Sequence, residues 1–259
     1  MKDVQNRRDD RGIPIQQVGI KDLQYPITVL DRQNASQHTT ASVGMFVDLP
    51  HEFKGTHMSR FVEILNEHRG RISVRDIHEI LHNMAERFDC ETAHLEIRFP
   101  YFIEKAAPAS GAESLSCYQC ALLASFDRRR TDKEVDLVVE AAVPVTMTCP
   151  CSKEISDRGA HNQRSVITIR IRSHDLVWIE ELVEVAEACA SSPVYSLLKR
   201  TDEKVVTEAA YDHPLFAEDA VRAVAARLRE DKRILWYRVE SENYESIHNH
   251  NAYAMVRSE

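Results

Sequence analysis

The sequence predicts an α+β chain of two ββααββ-type modules, in which antiparallel sheets carry helices on one face. Three observations predict it. Segments that alternate with period two bracket segments whose apolar residues recur at helical spacing. That order of elements occurs twice along the chain. At 259 residues and 43% hydrophobic, the chain can bury one large core or two small ones. No residue-level repeat accompanies the second occurrence, so the duplication rests on element order.

Residues 1–19 are polar and hold Arg7-Arg8-Asp9-Asp10-Arg11 without an apolar run, so they are expected to form a disordered tail, with order starting near Leu23. The first module, 20–130, opens with strands over Tyr25 to Leu30 and Thr39 to Leu49, the second alternating through Ala41, Val43, Met45 and Val47. A helix from Met58 to His68 carries Phe61, Ile64 and Leu65 on one stripe. A second, from Val74 to Phe88, carries Ile77, Ile80, Leu81 and Met84, with Ser73 as its cap. Strands Ala93 to Glu104 and Leu115 to Arg128 follow, joined by Ala106-Ala107-Pro108-Ala109-Ser110-Gly111, whose small and breaking residues mark a hairpin.

The second module, 131–259, repeats the order. Its strands are Glu134 to Thr146 and Ser165 to Arg172, its helices Leu176 to Ala188, Glu203 to Tyr211 and Leu215 to Glu230, and its closing strands Arg233 to Val239 and Ala252 to Arg257. Sheets of this kind leave edge strands unpaired, a liability that assembly into a homo-oligomer removes.

Composition narrows the function classes. A formal net charge of −8 gives no bulk attraction to nucleic acid or to an anionic membrane, so an anionic ligand must be met locally. The first 19 residues do not read as a secretory signal and no apolar stretch approaches the ~20 residues that span a bilayer, so a cytoplasmic protein is expected. Six cysteines then read as free thiols or metal ligands rather than disulfides. Cys117 and Cys120 lie three apart on a strand and face opposite ways, which suits packing better than one shared metal.

The segment Met147-Thr148-Cys149-Pro150-Cys151-Ser152, followed by Gly159-Ala160-His161-Asn162, places thiolate and imidazole donors about a dozen residues apart. Such donors suit zinc and its neighbours. Two buried thiols beside a surface histidine, or a lone nucleophilic thiol, remain alternatives. No second Cys pair follows, so a metal here would sit in an open, catalytic site rather than a closed structural one.

Further on, Ser241-Glu242-Asn243-Tyr244-Glu245-Ser246-Ile247-His248-Asn249-His250-Asn251 gathers two imidazoles with carboxylates and amides. It reads either as a polar hairpin with an exposed His pair or as a source of a metal ligand and proton-transfer groups; if fully extended, it would put Glu242, Tyr244, Ser246, His248 and His250 on one side. Lys199-Arg200-Thr201-Asp202-Glu203 starts a helix with Thr201 or Asp202 as N-cap, and the acidic residues suit the helix dipole without further function. The same holds for Glu218-Asp219, although a carboxylate there could hold the N–H edge of a guanidine-like ring. Phe53-Lys54-Gly55-Thr56-His57-Met58-Ser59-Arg60 gathers cations at a helix start without Walker spacing: an anion-binding corner or a solvated helix end.

Together, the stretches Thr148–Ser156, Gly159–Ser165, Lys199–Glu203, Ser241–His250 and Phe53–Arg60 resemble the type IB GTP cyclohydrolase I family, a prokaryotic family of the tunnelling fold. The resemblance implies two ββααββ modules in one chain, assembled through their sheets into barrels as a homotetramer with active sites at subunit interfaces. It implies a hydrolase acting on a cyclic amidine: GTP goes to 7,8-dihydroneopterin triphosphate and formate, the first step towards tetrahydrofolate, by attack of a metal-activated water on guanine C8. One divalent metal per site (zinc or manganese, sometimes iron) and no organic cofactor are implied. Carried over by motif, Cys149, His161, Glu203 and His248 hold the metal, with Cys151 as the rival thiol. Cys149, Glu245 and His250 serve catalysis, Glu218 holds the guanine, and Lys54, His57, Ser59, Arg60 and Arg164 meet the triphosphate. A tunnelling-fold nitrile reductase with a Cys nucleophile and a nicotinamide cofactor is the rival enzyme, but it leaves His161 and His248 unexplained. A non-catalytic purine- or pterin-binding module is the rival from another class.

Overall fold

The computed structural model describes residues 8–68, 76–131 and 134–259. The chain divides into two compact units, Met1–Pro100 with Ala121–Val139, and Tyr101–Cys120 with Glu140–Glu259.

The first unit contains β1 (Ile15–Asp31), β2 (Ala35–Leu49), α1 (Met58–Glu67) and α2 (Ile77–Phe88), with parts of β3 (Thr92–Ala106), β4 (Glu113–Asp127) and β5 (Asp136–Thr148). Its strands are hydrogen-bonded in the order β1-β2-β3-β4-β5, and the β1–β2 and β2–β3 ladders are antiparallel. The alternation read in β2 is the inner face: Ala41, Val43, Met45 and Val47 are buried. Opposite them lie the two helical stripes, Phe61, Ile64 and Leu65 of α1 and Ile77, Ile80, Leu81 and Met84 of α2, all buried. Ser73 and Val74, the expected cap and start of α2, fall outside the described residues.

The expected tail is shorter than residues 1–19, because β1 begins at Ile15 and Arg8 already bridges to Phe53. The first half of β1 is mostly exposed, so the backbone ladder to β2 rather than burial holds it, and hydrophobic patterning has nothing to register there. Two register shifts, between Ile15 and Val18 and between Ile20 and Leu23, interrupt its ladder to β2. Gly19 sits between them, where a Cβ would come 1.8 Å from the Met45 carbonyl oxygen. The strands can approach this closely only because Gly19 has no side chain.

The second unit adds α3 (Pro150–Ile155), β6 (Asn162–Ser173), α4 (Ile179–Ala188), β7 (Ser192–Pro193), α5 (Arg200–Asp212), α6 (Ala217–Glu230), β8 (Ile234–Asn243) and β9 (Ala252–Arg257). Its strand order is β3-β4-β5-β6-β8-β9, with the short β7 paired to β5. Ile167, Ile169 and Ile171 of β6 are buried with Leu182, Val183 and Ala186 of α4 and the Ala220, Val224 and Leu228 stripe of α6. Thus β3, β4 and β5 each contribute to both units, and the division does not fall at one point near residue 130.

One local expectation is corrected, and two segments are made definite. The N-cap of α5 is Lys199, not Thr201 or Asp202. Asp202 stands at the third helical position and its carboxylate reaches back to accept the Lys199 N–H at 2.9 Å, so it is the acidic end of a capping arrangement and not its start. Of the two forms open to the run from Ser241, the structure has a hairpin: β8 ends at Asn243, β9 begins at Ala252 and the two pair antiparallel. Pro150–Ile155, to which patterning assigns no element, form the six-residue α3. Among the described residues no helix is long and apolar enough to cross a membrane.

Candidate active site

The Cys-Pro-Cys segment leaves the end of β5 and turns at once into α3, with Cys149 as N-cap and Pro150 at the first helical position, where a missing N–H costs nothing. Cys149 Sγ accepts the Ser152 N–H at 3.5 Å, and the Cys149 N–H donates to the His161 carbonyl at 3.1 Å. Ser152 closes the loop from within: its Oγ donates to the Cys149 carbonyl and accepts the His161 N–H, each at 3.1 Å. The chain can return so tightly because Gly159 adopts φ +136°, a conformation L side chains rarely take. Cys149 and His161 are thereby held at the two ends of one clasped loop.

His161 enters β6 with its ring half-buried, and Nδ1 lies 3.0 Å from Gln163 Oε1. Gln163 is itself buried at 7% exposure, and its Nε2 donates to Glu245 Oε1 at 3.4 Å. Register explains how Glu245 arrives. The β6–β8 ladder runs to Ser165 opposite Asn243, and the Tyr244 N–H extends it by donating to the Arg164 carbonyl at 3.0 Å. The next residue, Glu245, then lies beside His161, its Oε2 4.0 Å from Nδ1, and Ser246 Oγ is 3.5 Å from the same nitrogen. A cleft of about 420 Å³ adjoins this loop, lined by Thr148, Ser156, Arg158, Gly159, Asn162 and Tyr211 among others.

The remaining expected site residues stand apart. Cys151 is exposed in the first turn of α3. Glu203 is exposed on α5 and Glu218 on α6, while Arg164 points outward from β6. His248 and His250 are exposed in the β8–β9 connection, with their rings stacked at 5.1 Å. Lys54, Ser59 and Arg60 are exposed and His57 half-buried around the start of α1 in the first unit. Cys149, His161, Glu203 and His248 do not converge: among the described residues, the one group of three or more ligating side chains with donor atoms within 4.8 Å of one another is His68, Asp76 and Glu79. Two of those three sit at the N-cap and first turn of α2, where the helix dipole accounts for them.

The other thiols differ from Cys149 in environment. Burial, with the Asp48 charge adding to it, pushes the Cys90 thiol up to about 12, and burial raises Cys120 and Cys189 as well. They are packing thiols. Cys149 is half-buried, and its backbone N–H is bonded to the His161 carbonyl. Thiol, imidazole and carboxylate are by their chemistry suited to a divalent ion of borderline softness, but the donor atoms of Cys149, His161 and Glu245 do not all lie within 4.8 Å of one another. Patterning did not single out Ser152, Gln163 or Ser246, although Gln163 lies only two residues after His161.

A family model described as type I GTP cyclohydrolase folE2 matches residues 1–254. The chain belongs to that family. Its curated relatives include the GTP cyclohydrolase FolE2 of Syntrophotalea carbinolica, 56% identical over 256 residues, covering 99% of this chain and 94% of the relative. That of Syntrophus aciditrophicus is 55% identical over 259 residues, covering 100% of each. Among solved structures, a highly active mutant of Bacillus sp. TB-90 urate oxidase matches with a TM-score of 0.58 and 10% identity, covering 94% of this chain and 99% of the other. A uricase from Bacillus fastidious matches at 0.58 and 8%, covering 96% and 94%. At such identities the likeness shows fold alone, and the fold is the α+β tunnelling fold expected of this folE2 family member.

Proposed function

We propose that the chain hydrolyses GTP to 7,8-dihydroneopterin triphosphate with release of formate, as a type IB member acting in the first step towards tetrahydrofolate. The observation that carries this reading is 56% identity over 99% of the chain to a relative named GTP cyclohydrolase FolE2. At that identity over that length, the pocket chemistry of the relative is expected here too.

Cys149, His161, Glu203 and His248 are proposed to hold one divalent ion, zinc, manganese or iron, with Cys151 as the alternative thiol. A mixed sulfur, nitrogen and oxygen set accounts for such latitude, since carboxylate tolerates manganese while thiolate favours zinc. When bound, the ion supplies Lewis acidity that makes a water nucleophilic near neutral pH, for attack on guanine C8. The chain's own side chains do the rest. Opening the imidazole ring needs a proton at N7, and the second hydrolysis, which frees formate, needs proton transfer again. Glu245, linked to His161 through Gln163, and His250 are proposed for these transfers. The Glu218 carboxylate would accept the guanine N1–H and exocyclic amine in parallel. Lys54, His57, Ser59, Arg60 and Arg164 are proposed to meet the triphosphate, a local answer to a chain of net charge −8.

Glu203, Glu218, His248 and His250 are all exposed, as residues are when a neighbouring subunit completes their site. A homotetramer with interfacial active sites is therefore part of the proposal. The deciding experiment measures formate release from GTP by metal-reconstituted protein, with Cys149→Ala and His248→Ala as controls. Release by the wild type, falling at least about 100-fold in both variants, is expected. Near-wild-type rates in both variants would overturn the site assignment, and tight GTP binding without formate under any added metal would overturn the reaction.

A further inference from the structure

We propose that Gln163 is a positioning residue, which fixes the tautomer of His161 so that the ring presents Nε2, and which ties that ring to Glu245. The purpose of this arrangement rests on the metal reading above; its geometry does not.

A carboxylate only accepts hydrogen bonds, so the Gln163 group facing Glu245 Oε1 at 3.4 Å must be the amide NH₂. Reversing the amide would set its carbonyl against a carboxylate and its NH₂ against Nδ1. With the NH₂ committed to Glu245, Oε1 is the atom 3.0 Å from His161 Nδ1. A carbonyl oxygen also only accepts, so Nδ1 must carry the ring proton and the lone pair resides on Nε2. Direct contact could not achieve this, because the nearest Glu245 oxygen is 4.0 Å from Nδ1. Gln163 is 7% exposed, so water is poorly placed to take over either bond.

Strand geometry places Gln163 for this role. Gln163 is the second residue of β6 and His161 immediately precedes the strand, which leaves their side chains in contact at 3.0 Å, while the β8 end delivers Glu245 to the same place. Groups that orient a metal-ligating imidazole through its second nitrogen typically change metal affinity about 10- to 100-fold when removed. Gln163 would act through His161, without touching substrate.

The test uses the full chain, prepared free of metal, with ¹⁵N-labelled histidine and the His161 signals assigned from the His161→Ala spectrum. The wild type should show the Nδ1–H tautomer at His161. Gln163→Leu should lose that preference and bind zinc about 10- to 100-fold more weakly. Gln163→Glu keeps an acceptor at Nδ1 and should keep the tautomer, while losing the donor to Glu245; it also decides the matter if the leucine variant does not fold. An Nε2–H tautomer in the wild type or in Gln163→Glu, or a folded Gln163→Leu unchanged in tautomer and zinc affinity, would overturn the proposal. Failure of the underlying metal reading has a separate signature: zinc binding equally to wild type and His161→Ala.

Discussion

Asp202 shows how one side chain can organise a corner of the molecule. It is fully buried, yet its carboxylate accepts from the Ala109 N–H at 2.8 Å, the Ser110 N–H at 2.7 Å, the Ser110 hydroxyl at 2.7 Å and the Lys199 N–H at 2.9 Å. The Ser110 hydroxyl bond leads, and with the backbone donors it outweighs burial to hold the carboxyl well below its usual range. A depressed folded-state value stabilises the fold above the unfolded-state pKa of about 4, and that contribution is lost as pH falls through the folded value. Asp202→Asn should therefore melt several degrees below wild type at neutral pH, with the gap narrowing only below about pH 4. A pH series of thermal melts checks this, and a gap that is constant down to pH 2 would remove the linkage. The cysteines give a second residue-scale prediction. Cys90, Cys120 and Cys189 are buried and raised, so alkylation of the native protein read by mass spectrometry should spare them until the chain unfolds. Cys151, exposed on a short helix, should react before them. Modification of Cys120 at the rate of Cys151 would show that the packing reading is wrong.

At the scale of elements, strand and helix signals were legible where one face is buried. The buried Ala41, Val43, Met45 and Val47 in β2, and the stripes of α1 and α2, are the residues that period-two and helical patterning selected. Elements held by hydrogen bonds with little burial were not legible. The start of β1 is mostly exposed and α3 buries none of its six residues, so neither leaves a hydrophobic pattern. The site divides in the same way. Cys149 and His161 are close in sequence and carry distinctive chemistry, whereas an isolated glutamine says nothing until His161 and Glu245 are found on either side of it. Gly19 tests the idea that β1 depends on its ladder. Gly19→Ala drives a methyl group against the Met45 carbonyl, which as backbone cannot swing aside, and should cost about 1–3 kcal/mol. Hydrogen exchange should localise the loss to the β1–β2 ladder; unchanged protection there would mean the strands can separate at no cost. On the inner face, Leu81→Ala empties a fully buried position and should cost about 2–5 kcal/mol in denaturant unfolding.

At the scale of the whole molecule, the proposed ion and the fold are separable, and the separation is measurable. Small zinc-dependent domains unfold on chelation because the ion replaces a core they lack. This chain has cores of its own: Val43, Met45, Leu81 and Met84 are buried in the first unit and Val143, Ile169, Val224 and Val239 in the second. The loop that carries Cys149 and His161 is closed by bonds among Cys149, Ser152 and His161, none of which requires an ion. Removing metal with a chelator should therefore abolish formate release while leaving the far-ultraviolet circular dichroism unchanged. Returning zinc or manganese should restore turnover. The returned ion should also raise the melting temperature by mass action, since free metal at about 100 times its Kd adds about 2.7 kcal/mol to a site present only in the folded state. Ser152→Ala separates the two contributions further. It deletes both Oγ bonds of the clasp, should cost about 1–3 kcal/mol in the metal-free protein, and should recover part of that loss when metal is returned, because the ion would then hold Cys149 and His161 together in place of the serine. Full turnover in chelator would remove the ion from the mechanism, and collapse of the helical signal on chelation would show that the ion belongs to the fold instead.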